Sequence, residues 1–262
     1  MKLSLLLAGV LALCSTLSRA EEIVRIDLDG KPGVAAPVQE DGKDGIARIK
    51  DVGTAQLELF PTATKESKGT IMISPGGGYS ILAVTHEGRN VAKMLNEDGW
   101  DAAVLLYHVS AGPTTRDLAI ADAKKGLDLL QKRGAEFKLS TKKIGILGFS
   151  AGGHLTARLA HESAKTKPVD FVILMYPAYL EKEGKVLDDV APIKAPVFIY
   201  VAGNDKLSPS SVAYDAACQE LGVQHELHKP DLGGHGFGLK DGMPESVKDW
   251  PAKLKAFLAT LK

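Results

Sequence analysis

The chain has 262 residues, 45% hydrophobic and 24% charged, with 32 basic residues balanced by 32 acidic ones. That composition suits one globular domain with a sizeable core, and no long linker or low-complexity block divides it. A formal net charge of zero leaves no basic excess to attract nucleic acid or anionic lipid.

In chain order, residues 1–20 stand apart. They open on Lys2, run apolar from Leu3 to Leu13, and end on the small residues Ser18 and Ala20, as a secretory signal peptide does, with cleavage expected before Glu21. The apolar run is too short for a membrane anchor, which needs about 20 such residues. A lipid attachment at Cys14 is disfavoured by Leu13, which stands where such signals carry a small residue. Cleavage removes Lys2 and Arg19, leaving a formal charge of about −2, and it leaves Cys218 as the one cysteine. The mature domain, residues 21–262, then has no internal disulfide and relies on its core, which suits a periplasmic or secreted bacterial protein.

Short apolar runs predict eight strands, near Ile23–Leu28, Ala55–Phe60, Thr70–Ser74, Ala102–Tyr107, Lys143–Leu147, Phe171–Tyr176, Val197–Val201 and Gln224–His228. Helical segments are expected at Val84–Glu97, Thr115–Arg133, Ala151–Ser163, Pro209–Leu221 and Glu245–Leu261. Alternation of strand and helix predicts a mostly parallel sheet covered on both faces, with the first two strands as an antiparallel edge because no helix joins them.

Chemistry-bearing patterns fall at the strand ends. Gly148-Phe149-Ser150-Ala151-Gly152 is a G-x-S-x-G pattern between a strand and a helix, the context in which such a serine is a nucleophile. A glycine-rich turn with an incidental serine is the plain alternative. Three glycines follow Pro75 directly after the third strand, and backbone N–H groups in such a loop can approach an oxyanion. A phosphate loop would require a following Gly-Lys-Ser/Thr, which is missing. An acid and a histidine should then follow the serine in that order. Asp205 lies in the loop after the seventh strand and His235 in a glycine-rich loop after the eighth. The other histidines fit less well: His86 and His108 precede the serine, His154 and His161 lie on the helix after it, and His225 and His228 lie in the last strand. Asp231 is the rival acid, four residues before His235. No zinc site is expected, since "HEGRN" at 86–90 lacks the second histidine of H-E-x-x-H and no cysteine cluster exists.

Nearly the whole mature chain resembles the α/β-hydrolase superfamily. More narrowly, "PGGGY", "GFSAGGHL", "GNDKLSP" and "GGHGFGL" resemble exported bacterial esterases of the acetyl xylan esterase-like and feruloyl-esterase-like (BD-FAE-type) group. The resemblance implies an α/β-hydrolase fold with an eight-stranded sheet, Ser150 as nucleophile, His235 as base and Asp205 as its orienter. It also implies an oxyanion hole from the backbone of Ala151 and of Gly77 or Gly78, and no metal or organic cofactor. Only about twenty residues separate Tyr176 from Val197, so little or no cap is expected. Tyr79, Tyr107, Tyr176, Tyr179 and Phe237 lie near strand ends and suit either a sugar-stacking platform or the core. The expected function is a serine esterase acting on small-molecule or polysaccharide esters, most simply carbohydrate O-acetyl groups. A general carboxylesterase or serine peptidase on the same residues, and a non-catalytic binding protein of the same fold, remain the alternatives.

Overall fold

The computed structural model describes residues 23–110, 112 and 114–261. The expected signal peptide, with Cys14, lies outside the described residues. In chain order the strands are β1 (Val24–Asp27), β2 (Gln39–Asp41), β3 (Ala47–Ile49), β4 (Gln56–Phe60), β5 (Thr70–Ser74), β6 (Asp101–Leu106), β7 (Ile144–Phe149), β8 (Phe171–Met175), β9 (Glu181–Lys182), β10 (Lys185–Val186), β11 (Val197–Tyr200) and β12 (His225–His228). The helices are α1 (Asn90–Glu97), α2 (Thr115–Arg133), α3 (Ala151–Ser163), α4 (Ser208–Glu220) and α5 (Trp250–Thr260).

Eight strands form one sheet in the order β1-β4-β6-β5-β7-β8-β11-β12. β1 pairs antiparallel with β4, and β4 antiparallel with β6, while every later pair is parallel. These eight are the expected strands, with ends moved by a residue or two. The middle strands are buried at every position because crossover helices cover both faces, which is why they read as unbroken apolar runs. The outermost strand, β12, is half-buried throughout.

Two small hairpins were not legible. β2 pairs with β3, and β9 pairs with β10 around Glu183 and Gly184, both at positive φ, as a two-residue hairpin turn demands. Strands of two or three residues carry too little periodicity to register. The expected helix at Val84–Glu97 is also two pieces: a π-helical turn at Thr85–Arg89 precedes α1. Likewise the last helical segment is a 3₁₀ turn at Glu245–Val247 followed by α5.

Register decides what meets at the carboxyl edge of the sheet. Ser74 pairs with Gly148 and Phe149 with Met175, so the loops leaving β5, β7 and β8 emerge side by side. Tyr200 pairs with both Met175 and His228, which brings the loops after β11 and β12 alongside.

One buried charge cluster fastens the antiparallel edge. Glu58 in β4 is fully buried and accepts hydrogen bonds from Arg25 of β1 at 3.0 and 2.9 Å and from Arg89 of the π-helical turn at 2.7 Å through each of two nitrogens. Removing the carboxylate leaves two guanidinium groups, each 16% exposed, without their counter-charge. Glu58→Ala is expected to cost about 3 kcal/mol of unfolding free energy, read from urea titration of the two proteins.

Candidate active site

β7 passes into α3 through Ser150, whose backbone lies at φ +51° and ψ −118°. A side-chain-bearing residue held there costs roughly 1–3 kcal/mol. Hydrogen bonds on both sides hold the turn: Ser150 N–H donates to Met175 O at 3.0 Å, and Ser150 O accepts from His154 N–H at 3.1 Å and Ala178 N–H at 3.0 Å. The flanking glycines are a packing requirement. A Cβ on Gly148 would strike Gly152 O and Thr156 Oγ1, one on Gly152 would strike Ser74 O and Pro75 O, and one on Gly153 would lie 2.9 Å from Pro177 Cα. Most of these obstacles are main chain, which cannot rotate aside.

The structure brings Ser150, His235 and Asp205 together. His235 Nε2 lies 2.8 Å from Ser150 Oγ, and its Nδ1 lies 2.6 Å from Asp205 Oδ2. The carboxylate holds the ring proton on Nδ1, which leaves the Nε2 lone pair to accept the serine hydroxyl. Asp205 Oδ1 accepts Leu207 N–H at 2.8 Å, and the neighbouring Asn204 Oδ1 accepts Gly234 N–H at 2.8 Å, so the loop after β11 holds the histidine loop. The Asp205 side chain is 1% exposed and that of His235 is 34% exposed, so solvent reaches the imidazole and not the carboxylate. Asp231 is exposed and meets this loop through its carbonyl oxygen, which accepts Asn204 N–H at 3.0 Å.

Five of the other histidines are engaged elsewhere, and the sixth, His86, is buried with its Nδ1 unpartnered among the described residues. His108 Nδ1 pairs with Asp122 at 2.7 Å, His161 Nδ1 with Ala191 O at 3.2 Å, His225 Nδ1 with Val223 O at 2.7 Å and His228 Nε2 with Glu226 at 3.1 Å. His154 is buried and its Nδ1 lies 2.7 Å from the Tyr79 hydroxyl. Burial holds the Tyr79 phenol well above its ordinary pKa, so the phenol donates and the neutral imidazole accepts.

Among the three glycines after Pro75 the hydrogen bonds discriminate. Gly76 N–H donates to Glu87 Oε2 at 2.8 Å and is unavailable. The N–H groups of Gly77, Gly78 and Ala151 meet no protein acceptor among the described residues. The loop abuts the serine, since a Cβ on Gly76 would lie 2.9 Å from Ser150 Cβ. Gly77 and Gly78 take φ +132° and +65°, which a loop doubling back so tightly requires.

Glu87 itself was weighed in the sequence only as part of a possible zinc motif. It is 3% exposed, and its Oε1 accepts the Tyr176 hydroxyl at 2.8 Å. Among the described residues no group of three or more His, Cys, Asp or Glu is placed to hold a metal. Of the five aromatics near strand ends, Tyr107, Tyr176, Phe237 and Tyr79 are core, and Tyr179 alone is exposed, at 39%. Arg116 lies over that Tyr179 ring, 4.6 Å from its centroid.

The BD-FAE family profile matches residues 57–207. An acetylxylan esterase of Xylanibacter ruminicola is 28% identical over 220 residues, which is 73% of this chain and 45% of that protein, so the chain spans under half the length of that relative. Among solved structures, the acetyl ester-xyloside bifunctional hydrolase of Caldicellulosiruptor lactoaceticus superposes with a TM-score of 0.67 at 26% identity, covering 79% of this chain and 88% of that one. MGS-M1, an α/β-hydrolase enzyme from a Medee basin deep-sea metagenome library, superposes with a TM-score of 0.66 at 24% identity over 79% of this chain and 92% of that one. The fold is that of the α/β-hydrolases.

Burial sets a pH limit on this end of the molecule. His154 and His86 are both pushed down from 6.5 to about 4, chiefly by desolvation. Between those values the unfolded chain takes up protons that the folded chain refuses, so stability is lost as pH falls from 6.5 toward 4. The urea midpoint is expected to drop between about pH 7 and about pH 4.5, and His154→Gln is expected to show a smaller drop than the parent over the same interval.

Proposed function

This chain belongs to the BD-FAE family, and from that membership we propose that it is a serine esterase that removes short acyl groups, acetyl foremost, from carbohydrate. The observation that carries the reading is the Asp205–His235–Ser150 hydrogen-bond chain, 2.6 and 2.8 Å long, ending on a serine in a strained strand-to-helix turn. In the proposed first step Ser150 Oγ attacks the ester carbonyl carbon while His235 Nε2 takes the hydroxyl proton. The carbonyl electrons move onto oxygen, beside the N–H of Ala151 and that of Gly77 or Gly78, each donor contributing about 3 kcal/mol of barrier lowering. The positive end of α3 favours the same oxygen. Collapse expels the alcohol, which takes the proton from His235, and water repeats the sequence to free the acid. Asp205 stabilises the imidazolium throughout.

The acetyl preference draws on two relatives whose names specify acetyl esters, and on the short connection between β8 and β11. The hairpin β9–β10 and a 3₁₀ turn at Asp188–Val190 occupy the segment between β8 and β11, where a cap would be inserted. Cavities of about 670 and 590 Å³ lie elsewhere, one beside His161 and Ile193, the other along Val34 and Gly53. The Tyr179 ring, 39% exposed with Arg116 over one face, stands one residue beyond the Ala178 that binds Ser150 O and is the aromatic we assign to the sugar-facing surface. Export through residues 1–20 completes the reading, placing the mature chain in the periplasm or outside the cell, where polysaccharide is met.

Substitution tests the roles. Ser150→Ala is expected to lower kcat by several orders of magnitude with little loss of stability, and a tenth of wild-type turnover would remove the assignment. Asp205→Asn is expected to cost about 10⁴ in kcat by mis-setting the His235 tautomer, and Asp231→Asn far less.

Substrate class is tested by kcat/KM across p-nitrophenyl esters, with acetyl expected above butyryl and far above octanoyl. Each added methylene contributes up to ~0.8 kcal/mol only where a pocket buries it. A steady rise toward octanoyl would instead indicate a lipase-like acyl tunnel. Acetylated xylan set against a peptide amide separates the carbohydrate esterase from a peptidase.

A further inference from the structure

The acyl-transfer reading leaves Glu87 without a task, yet its carboxylate is buried on the carboxyl edge of the sheet between the two glycine loops that face Ser150. A buried carboxylate is costly to keep unless its hydrogen bonds are made, and here they are made to the first loop directly and to the second through Tyr176. Oε2 accepts Gly76 N–H at 2.8 Å, and Gly76 is the residue of that loop that abuts Ser150. Oε1 accepts the Tyr176 hydroxyl at 2.8 Å, and the hydroxyl oxygen in turn accepts Gly238 N–H at 2.9 Å from the histidine loop. The Tyr176 ring meets His235 edge-on at 5.0 Å and Phe237 at 4.5 Å.

The turn that carries Glu87 is built for this placement. It is π-helical over Thr85–Arg89, a widened turn of the kind that collects at functional sites. Gly88 lets it lie close, since a Cβ there would come within 3.1 Å of Val104 Cγ1 and 3.4 Å of Pro75 Cγ. Its main chain holds the histidine loop as well, His86 O accepting Leu239 N–H at 2.7 Å, and the side chain of Asn90 at the start of α1 donates to Leu239 O at 2.9 Å. Arg89 on the same turn is taken up by Glu58, so it does not compete for the Glu87 carboxylate.

We propose that Glu87 is a positioning residue of the acyl-transfer site, its two oxygens holding the Gly76–Gly78 loop and the His235 loop in one register about Ser150. The proposal rests on the esterase reading and extends it. A group that fixes only the spacing of oxyanion donors and base should matter to the tetrahedral state and little to ground-state binding.

The test uses Glu87→Gln and Tyr176→Phe in the mature protein, with p-nitrophenyl acetate as substrate and phenylboronic acid as the probe that becomes tetrahedral on serine. For Glu87→Gln we expect kcat to fall by about 10–100-fold with KM within about twofold, and phenylboronic acid affinity to fall in step. Tyr176→Phe cuts the link to one loop only and should fall less, and the double variant should be no worse than Glu87→Gln alone, because both act through one network. A folded Glu87→Gln protein with wild-type kcat and boronate affinity overturns the proposal. If that variant does not fold, Tyr176→Phe decides: unchanged kcat and boronate affinity overturn it. A wild-type protein inert toward the ester, or an active Ser150→Ala protein, overturns the esterase reading and this proposal with it, whereas a Glu87→Gln protein with wild-type kcat and boronate affinity beside an inactive Ser150→Ala overturns this proposal alone.

Discussion

The backbone of Ser150 is the constraint on which the rest of this end of the molecule depends. A strand that becomes a helix within one residue leaves that residue at positive φ, and the strain persists only because neighbours on every side hold it. β8 supplies the acceptor for its N–H, and α3 and the segment after β8 supply donors for its carbonyl. Close approach of these elements then dictates the glycines. Gly152 packs against the carbonyls of Ser74 and Pro75, so the loop after β5 is pressed onto the turn and Gly76 comes to lie against Ser150. One geometric demand thus shapes both the serine turn and the glycine loop beside it.

Buried carboxylates do the complementary work of fixing directions. Asp205 is almost wholly out of solvent, held by Leu207 N–H, and presents one oxygen to His235. Glu58 gathers Arg25 and Arg89 and ties the antiparallel edge to the π-helical turn. Glu87, on that turn, binds the Gly76 loop directly and is linked to the His235 loop through the Tyr176 hydroxyl. Burial penalises each of these polar groups, and each meets that penalty with two or more hydrogen bonds of defined direction. Apolar packing supplies cohesion and leaves orientation free; these carboxylates remove that freedom where a reaction of the proposed kind needs it least.

Much of the scaffold was legible because parallel strands covered on both faces announce themselves as short apolar runs, and helices between them keep a different period. The serine, the acid and the histidine were legible because they stand in chain order at strand ends. The hairpins β2–β3 and β9–β10 were not, since two or three residues carry no period. Nor was the π-helical turn, whose residues read as a plain extension of α1. Aromatic residues near strand ends were ambiguous for the same reason that most aromatics are: the letter Tyr does not say whether its ring faces the core, as in Tyr176, or the solvent, as in Tyr179.

The sequence by itself determined the α/β alternation, the strand that runs into Ser150, and the order Ser150, Asp205, His235, because period, glycine placement and chain order are local properties. Only the tertiary structure decided between Asp205 and Asp231 as the partner of His235, withdrew Gly76 from the set of free donors, and gave Glu87 its neighbours. Those outcomes depend on which strand lies beside which and in what register. Ser74 beside Gly148, and Tyr200 between Met175 and His228, are contacts between residues far apart in the chain, and no local pattern encodes the distance at which their loops will meet.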